Sequence, residues 1–376
     1  MVRRVMMIAG EVSGDVHGAG VVRELKRRQP SMEIYGIGGE RMKREGMTLT
    51  YHVQELSFMG FIEVLKHLPL IRSVERTLEQ LLVLKKPDVV VLIDYPGFNL
   101  RFARKVKKYG VKVVYYISPQ VWAWKKGRVK KMRGIIDAML VVFPFEEEIY
   151  RKGGIEVKFV GHPLLEELNV EFTRDQFCKR FGIDPEKKIL ALIPGSRPQE
   201  VQNLFSVMVR SASLLQDEEN LEVIVAVAPN LHKELFSAYL PENHQLHFVE
   251  NATHEIMKYA HLAIVTSGTA TLETACFETP MIVVYRTSWL TYLVARALVR
   301  IKNIGLVNIV AGRSIVPELI QHNVTVQKIV ELATGLLKND AERAAMKNNL
   351  STVKGLLGAK GASANVADVI LAMSPA

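Results

Sequence analysis

Short, wholly apolar runs alternate with longer segments whose apolar residues return every three or four positions, and this alternation fills most of the chain. Residues 5–9, 33–37, 89–93, 113–117, 139–143 and 156–160 read as strands, and so do 189–193, 221–228, 245–249, 261–265 and 281–285. Helical patterns lie between them, as at 21–28 and after Pro69, where Ile71, Val74, Leu78, Leu81 and Leu82 share one face. Such alternation builds parallel sheets from βαβ units. The plan begins twice. Residues 5–9 lead into a Gly-rich turn from 10 to 20 and then a helix, and residues 189–193 lead into Pro194-Gly-Ser-Arg197 and then another helix.

Ser196 followed by Gln199 is a capping-box signal, and Pro198 suits a first helical turn. Ser196 and Arg197 are therefore expected at a helix N-terminus, where free N–H groups and the helix dipole favour an anion and Arg197 adds a phosphate-shaped fork. Two such beginnings imply two similar α/β domains with a cleft between them, residues 1–168 and 169–351. The polar stretch 166–187 reads as their linker. Whether the C-terminal helix of about 352–376 returns to the first domain or reaches a partner stays open.

Length agrees, because 376 residues exceed one ordinary core. The net charge of +10 calls for an anionic partner: nucleic acid, an anionic membrane face or phosphorylated small molecules. Cys178 and Cys276 alone exclude a disulfide framework and suit a reducing cytosol. The first ten residues resemble the start of a signal peptide, but Glu11 and Asp15 interrupt it, and no apolar run approaches the roughly 18 residues of a membrane span. One segment stands apart. Phe58, Phe61, Ile62, Val64, Leu65 and Leu68 crowd together on more than one face, as a core or dimer contact would, or a membrane-dipping patch. A basic run, Lys125, Lys126, Arg128, Lys130, Lys131 and Arg133, reads either as a solvated face or as a dock for an anionic leaflet.

Candidate chemistry gathers at strand ends. Asp94 lies just past the carboxyl end of the 89–93 strand, where open α/β sheets bind ligands, although it could instead cap the helix after Pro96. Ser267-Gly-Thr-Ala-Thr-Leu-Glu273 offers N–H groups and hydroxyls at a helix start without the Walker lysine, which suits a diphosphate arriving without a bound metal. Glu273 falls one turn on, within reach of ribose hydroxyls. Trp122 and Trp124 read as loop packing or as a sugar or acyl contact, and His162 as a base or a structural hydrogen-bonding group. No metal-ligand spacing is present, so neither metal nor cofactor is expected.

Ala9-Gly-Glu-Val-Ser-Gly-Asp15, Gly36-Ile-Gly-Gly39, Met59-Gly60 with Glu63-Val64, and Ile93-Asp94 with Pro96 and Phe98-Asn99 together resemble the lipid-A-disaccharide synthase family. So do Ser118-Pro119 with Val121-Trp-Ala-Trp124, Phe143-Pro-Phe-Glu146, Val160-Gly-His-Pro163, Pro194-Gly-Ser-Arg197, Ser267-Gly-Thr-Ala270 with Leu272-Glu273, and Asn308. Gly97 departs from the family, which more often carries an acidic residue there.

The resemblance implies a GT-B fold of two Rossmann-like domains and an inverting, metal-independent transfer. In it UDP-2,3-diacylglucosamine and 2,3-diacylglucosamine 1-phosphate give a β-1,6-linked tetraacyl disaccharide 1-phosphate and UDP. It implies Asp94 as base with Glu11 as a rival, and Arg197 as a functional residue. Ser196, Ser267, Gly268, Thr269, Ala270, Glu273, Arg286 and Asn308 then fall on the UDP-sugar side, and Ser13, Gly14 and Asp15 on the acceptor side. The apolar segment becomes a membrane patch on a cytoplasmic protein bound peripherally to the anionic inner leaflet. A homodimer stays open. The alternatives are another GT-B enzyme of UDP-N-acetylglucosamine, either a lipid-intermediate transferase or an epimerase, and, ranked last, a basic nucleic-acid-binding module.

Overall fold

The computed structural model describes residues 2–56, 68–124, 126–240, 245–289 and 303–373. The chain forms two compact units, Met1–Glu166 with Leu357–Ala376, and Glu167–Leu356.

In the first unit the described strands are β1 (Arg4–Ala9), β2 (Glu33–Gly38), β3 (Thr48–His52), β4 (Val89–Ile93), β5 (Lys112–Tyr116), β6 (Ala138–Val141) and β7 (Val157–Phe159). All pair in parallel in the order β3-β2-β1-β4-β5-β6-β7. Helices α1 (Val12–Arg28), α2 (Glu40–Arg44), α3 (Leu68–Lys85), α4 (Pro96–Lys108) and α5 (Pro144–Lys152) connect them. β4 has no exposed residue, as a strand covered on both faces must, and its Val90 and Leu92 share one core with Val74, Leu78 and Phe102 of α3 and α4. Burying each such side chain contributes about 1.5–3 kcal/mol.

Of the glycines read as a turn over 10–20, only Gly10 lies in a turn; Gly14, Gly18 and Gly20 belong to α1, which begins at Val12. They are packing positions: a Cβ on Gly14 would lie 3.2 Å from Ala9, and one on Gly18 would strike Met42 and Ile93. Absence of side chains there lets α1 lie close on β1 and α2. Strand β3 escapes the apolar-run criterion because it is a half-buried edge strand of mixed polarity.

The second unit repeats the design with β8 (Lys188–Ile193), β9 (Leu221–Val227), β10 (Leu246–Glu250), β11 (Leu262–Thr266), β12 (Met281–Tyr285) and β13 (Glu318–Ile320), in the parallel order β10-β9-β8-β11-β12-β13. Its helices include α6 (Pro198–Glu219), α7 (Thr253–Tyr259), α8 (Ala270–Cys276), α9 (Leu306–Ala311), α10 (Val326–Lys338) and α11 (Asp340–Leu356). The stretch read as a linker is folded: Arg174–Phe181 is a helix boxed by Thr173 and Gln176, and Phe177 packs on Tyr259 of α7. The chain then returns to the first unit as α12 (Ala362–Ala372), which packs on α1. Glu166 caps it, accepting from Gly361 N, Ser363 N and Ser363 Oγ.

In both sheets strand order reverses next to the first strand, between β1 and β4 and between β8 and β11. The loops leaving these neighbours at their carboxyl ends diverge, and the crevice left there is where such sheets bind ligands.

Candidate active site

At the reversal in the first unit, Glu11 follows β1 and Asp94 follows β4. Asp94 and Tyr95 both take left-handed backbone, each with φ of 47°. Tyr95, not Asp94, is the N-cap of α4 and caps it with no side chain, so the capping reading of Asp94 does not hold. The Asp94 carboxyl is pushed up to about 6, first by burial and then by the charge of Glu11, against the pull of the Tyr95 N–H and of His17. A carboxylate poised there can take a proton near neutral pH and release it again. Gly10 permits the arrangement: a Cβ would sit 2.2 Å from the Tyr95 ring, which lies over the turn after β1.

The other first-unit expectations separate. Ser13 is exposed at the start of α1, and Gly14 is a packing residue. Asp15, expected on the acceptor side, is turned into the fold. It is buried, and its carboxylate accepts from Gly39 N (2.6 Å), Met42 N (3.0 Å) and Arg41 N (3.2 Å), capping α2. Asp15→Ala would strand these amides, and thermal unfolding should show a loss of about 2–4 kcal/mol; a loss of activity without a loss of stability would return Asp15 to the acceptor side. His162 is structural. Its Nδ1 accepts from Leu164 N, and burial, helped by His17, pushes it down to about 3, too weak for a base at neutral pH. Trp122 packs edge-on against Phe145 at 5.7 Å, itself stacked on Phe143. Beneath them lies a residue given no role from sequence: the buried Glu146 accepts from Ser118 Oγ and Phe143 N and is pushed up to about 7 by burial. The side chain of Trp124 lies outside the described residues, as do Phe58, Phe61, Ile62, Val64 and Leu65; Leu68 is half-buried at the start of α3.

At the reversal in the second unit a pocket of about 390 Å³ opens between Gly195, Ser196 and Arg197 after β8 and the 267–270 turn after β11, with Ala228, His254 and Glu273 also lining it. The N–H groups of Gly268, Thr269 and Ala270, where α8 begins, have no hydrogen-bond partner among the described residues. Those at Ser196 and Arg197 are not free, contrary to expectation. The cap residue is Arg197 and the box closes with Glu200, whose Oε2 accepts from Ser196 N (3.0 Å) and Arg197 N (3.2 Å). A glutamate at the third helical position reaches back to these amides; Gln199, one residue earlier, is exposed. The Arg197 guanidinium is left at the mouth, exposed and 3.7 Å from Glu200 Oε1. Burial raises the carboxyl of Glu273, and the neighbouring His254 pulls it down.

Three further expectations change. Ser267 Oγ donates to Ile304 O, so its hydroxyl proton is already engaged. Asn308 is fully buried with both ends of its amide taken: Nδ2 donates to Val316 O and Glu318 Oε1, and Oδ1 accepts from Ile315 N and Val316 N. It offers nothing to a nucleotide directly. Glu318 in turn accepts from Ile304 N and Gly305 N, so Asn308 supports the segment that holds Ser267. Arg286 donates to Asn203 O and Val324 O and fastens the end of β12 rather than lining the pocket.

Residues 5–369 match the family described as lipid-A-disaccharide synthetase. The lipid-A-disaccharide synthase of Geobacter sulfurreducens is 40% identical over 372 residues, spanning 98% of this chain and 97% of that protein. The enzyme of Coxiella burnetii is 38% identical over 98% of each. Among solved structures, the glycotransferase of kitacinnamycin superposes with a TM-score of 0.69 at 14% identity over 100% of both chains. UDP-GlcNAc 2-epimerase from Neisseria meningitidis gives 0.66 at 15% identity, covering 98% of this chain and 99% of that one. The last two are likenesses of fold. The expected GT-B class, two Rossmann-like units with parallel sheets, stands.

Proposed function

The chain belongs to the lipid-A-disaccharide synthetase family, and from that premise we propose how its residues divide the glycosyl transfer that the family name describes. The donor is a diacylated UDP-glucosamine and the acceptor a diacylated glucosamine 1-phosphate. The acceptor's 6-hydroxyl oxygen attacks the donor's C1 from the face opposite the diphosphate. As that bond forms, the C1–oxygen bond to UDP breaks and UDP leaves with the electron pair, so an α-linked donor gives a β product. Asp94 takes the hydroxyl proton. The amides of Gly268, Thr269 and Ala270 and the Arg197 guanidinium receive the charge that grows on the diphosphate, and Glu273 meets the ribose.

The observation that supports this most is the state of Asp94: a carboxylate past the end of β4, raised to about 6 by burial and by Glu11. Glu11 then acts by tuning Asp94 rather than by taking the proton itself. Incubating the protein with the two acylated substrates and weighing the product by mass spectrometry tests the reading. A tetraacyl disaccharide phosphate with stoichiometric UDP is expected. Equal turnover of unacylated UDP-N-acetylglucosamine, or its epimerisation, would overturn it.

Both substrates carry acyl chains, so the enzyme has to meet them at a bilayer. Among the described residues no helix is long and apolar enough to cross a membrane. The segment 58–68 supplies apolar side chains for a peripheral contact with the anionic leaflet, and Lys130, Lys131 and Arg133 are exposed basic groups. Replacing Ile62, Val64, Leu65 and Leu68 with serine should shift the protein from the floating to the soluble fraction with anionic vesicles while its melting temperature holds. A collapsed melting transition would instead make these side chains part of the core.

A further inference from the structure

Two consecutive residues that are not glycine sit in the left-handed region at the end of β4, Asp94 and Tyr95. Each such residue costs about 1–2 kcal/mol and persists only where the surroundings over-determine it. The means of holding them is visible. Asp94 N donates to Tyr116 O at 2.9 Å, which keeps the residue in register with β5. The Asp94 carbonyl oxygen then accepts twice, from Tyr115 Oη at 2.6 Å and from Asn99 Nδ2 at 2.8 Å. Asn99 Nδ2 also reaches Ile93 O at 3.1 Å, and Asn99 N donates to Tyr95 O at 3.1 Å, so one side chain and its own amide grip three successive carbonyls. Asn99 and Tyr115 are both fully buried. Neither side chain is open to solvent.

We propose that Asn99 and Tyr115 are positioning residues of the transfer reaction, which lock the Asp94–Tyr95 peptide in its left-handed turn and thereby aim the Asp94 carboxylate. This rests on the reading of Asp94 as the base. A flip of this peptide plane would leave the Tyr115 hydroxyl and one N–H of Asn99 buried and unpaired. With Asp94 N held by Tyr116 O and its carbonyl by these two donors, the planes on both sides of the Asp94 Cα are fixed, and with them the direction in which its side chain leaves the backbone. Burial holds the Tyr115 hydroxyl well above the usual phenol range, so it remains a donor at every working pH.

Tyr115→Phe deletes one donor and keeps the ring. It should lower kcat by about 10- to 100-fold, the scale of a misplaced reacting group, with KM for both substrates and UDP affinity within twofold of the parent. The acid limb of its kcat profile should move down as Asp94 gains freedom to reach solvent. Asn99→Leu, similar in size and without donors, should do the same more strongly; if it does not fold, Tyr115→Phe carries the test alone. The decisive comparison is a double-mutant cycle with Asp94→Asn. With no base left to aim, Tyr115→Phe should change the residual turnover by less than twofold. An equal loss in both backgrounds, or a single variant as fast as the parent, would overturn the proposal. Should Asp94→Asn itself turn over normally, the base reading fails first, and the two failures are thus told apart.

Discussion

Asp94→Asn is expected to retain its fold and its affinity for UDP and to lose about 10²–10⁴ of its turnover, the usual contribution of a general base. Asparagine matches the carboxylate in size, and the backbone contacts of the 93–95 turn use main-chain atoms that the substitution leaves alone. It should also stabilise the protein. The Asp94 carboxyl titrates near 6 in the folded chain against an ordinary value of 3.8, so folding disfavours its charge. Above pH 6 that charge lowers stability by roughly 1–3 kcal/mol, and the penalty fades as pH falls from about 6 towards 4. At pH 7.5 the variant should therefore melt higher than the parent, while at pH 4 the two should converge. A dead enzyme that is also less stable would point to damage rather than to a lost base. The parent's kcat/KM, which reports the free enzyme, should fall on the acid side with a midpoint near 6. In Glu11→Gln, where the repelling charge is gone, that midpoint should move down with turnover largely kept. Turnover lost in Glu11→Gln but kept in Asp94→Asn would exchange the two roles.

Arg197→Ala should cost about 10²–10³ in kcat/KM, the scale of removing one preorganised group from a developing anion. Its guanidinium is exposed and, among the described residues, is held by a 3.7 Å pair with Glu200, an arrangement worth about 0–1 kcal/mol, so stability should barely move. Because the amides of Ser196 and Arg197 are already filled by Glu200, this side of the pocket has the guanidinium and the Ser196 hydroxyl to offer a diphosphate, and only the first carries charge. UDP affinity should weaken along with turnover. Arg197→Lys should recover only part of the loss, since an ammonium cannot offer two parallel donors. Wild-type kinetics in Arg197→Ala would leave the amides of α8 to carry the charge alone.

The two sheets were legible in the sequence because strands buried on both faces must be apolar throughout, as in 89–93 and 189–193. Position at a strand's carboxyl end sufficed to single out Asp94 and the 267–270 turn. What sequence could not supply was the use to which a polar group is put. Asp15, Asn308 and Arg286 have the chemistry of ligand-binding residues, yet all three are engaged by backbone groups, from distant elements for Asp15 and Arg286 and from the segment just after its own helix for Asn308. Local pattern also misled at the start of α6: Ser196 with Gln199 satisfies the capping-box spacing, but so does Arg197 with Glu200, and the carboxylate is the stronger acceptor. The left-handed backbone over Asp94 and Tyr95 left little trace: aspartate tolerates that region better than most residues, but neither glycine nor asparagine marks it, and tyrosine gives no signal.

The most direct measurement is a crystal structure of the Asp94→Asn enzyme with UDP and the acylated acceptor phosphate bound. The diphosphate should lie within hydrogen-bonding distance of the Gly268–Ala270 amides with Arg197 turned onto it, and the acceptor's 6-oxygen should meet the side chain at position 94. A diphosphate seated away from α8, or an acceptor hydroxyl facing some other side chain, would contradict this assignment of the chemistry.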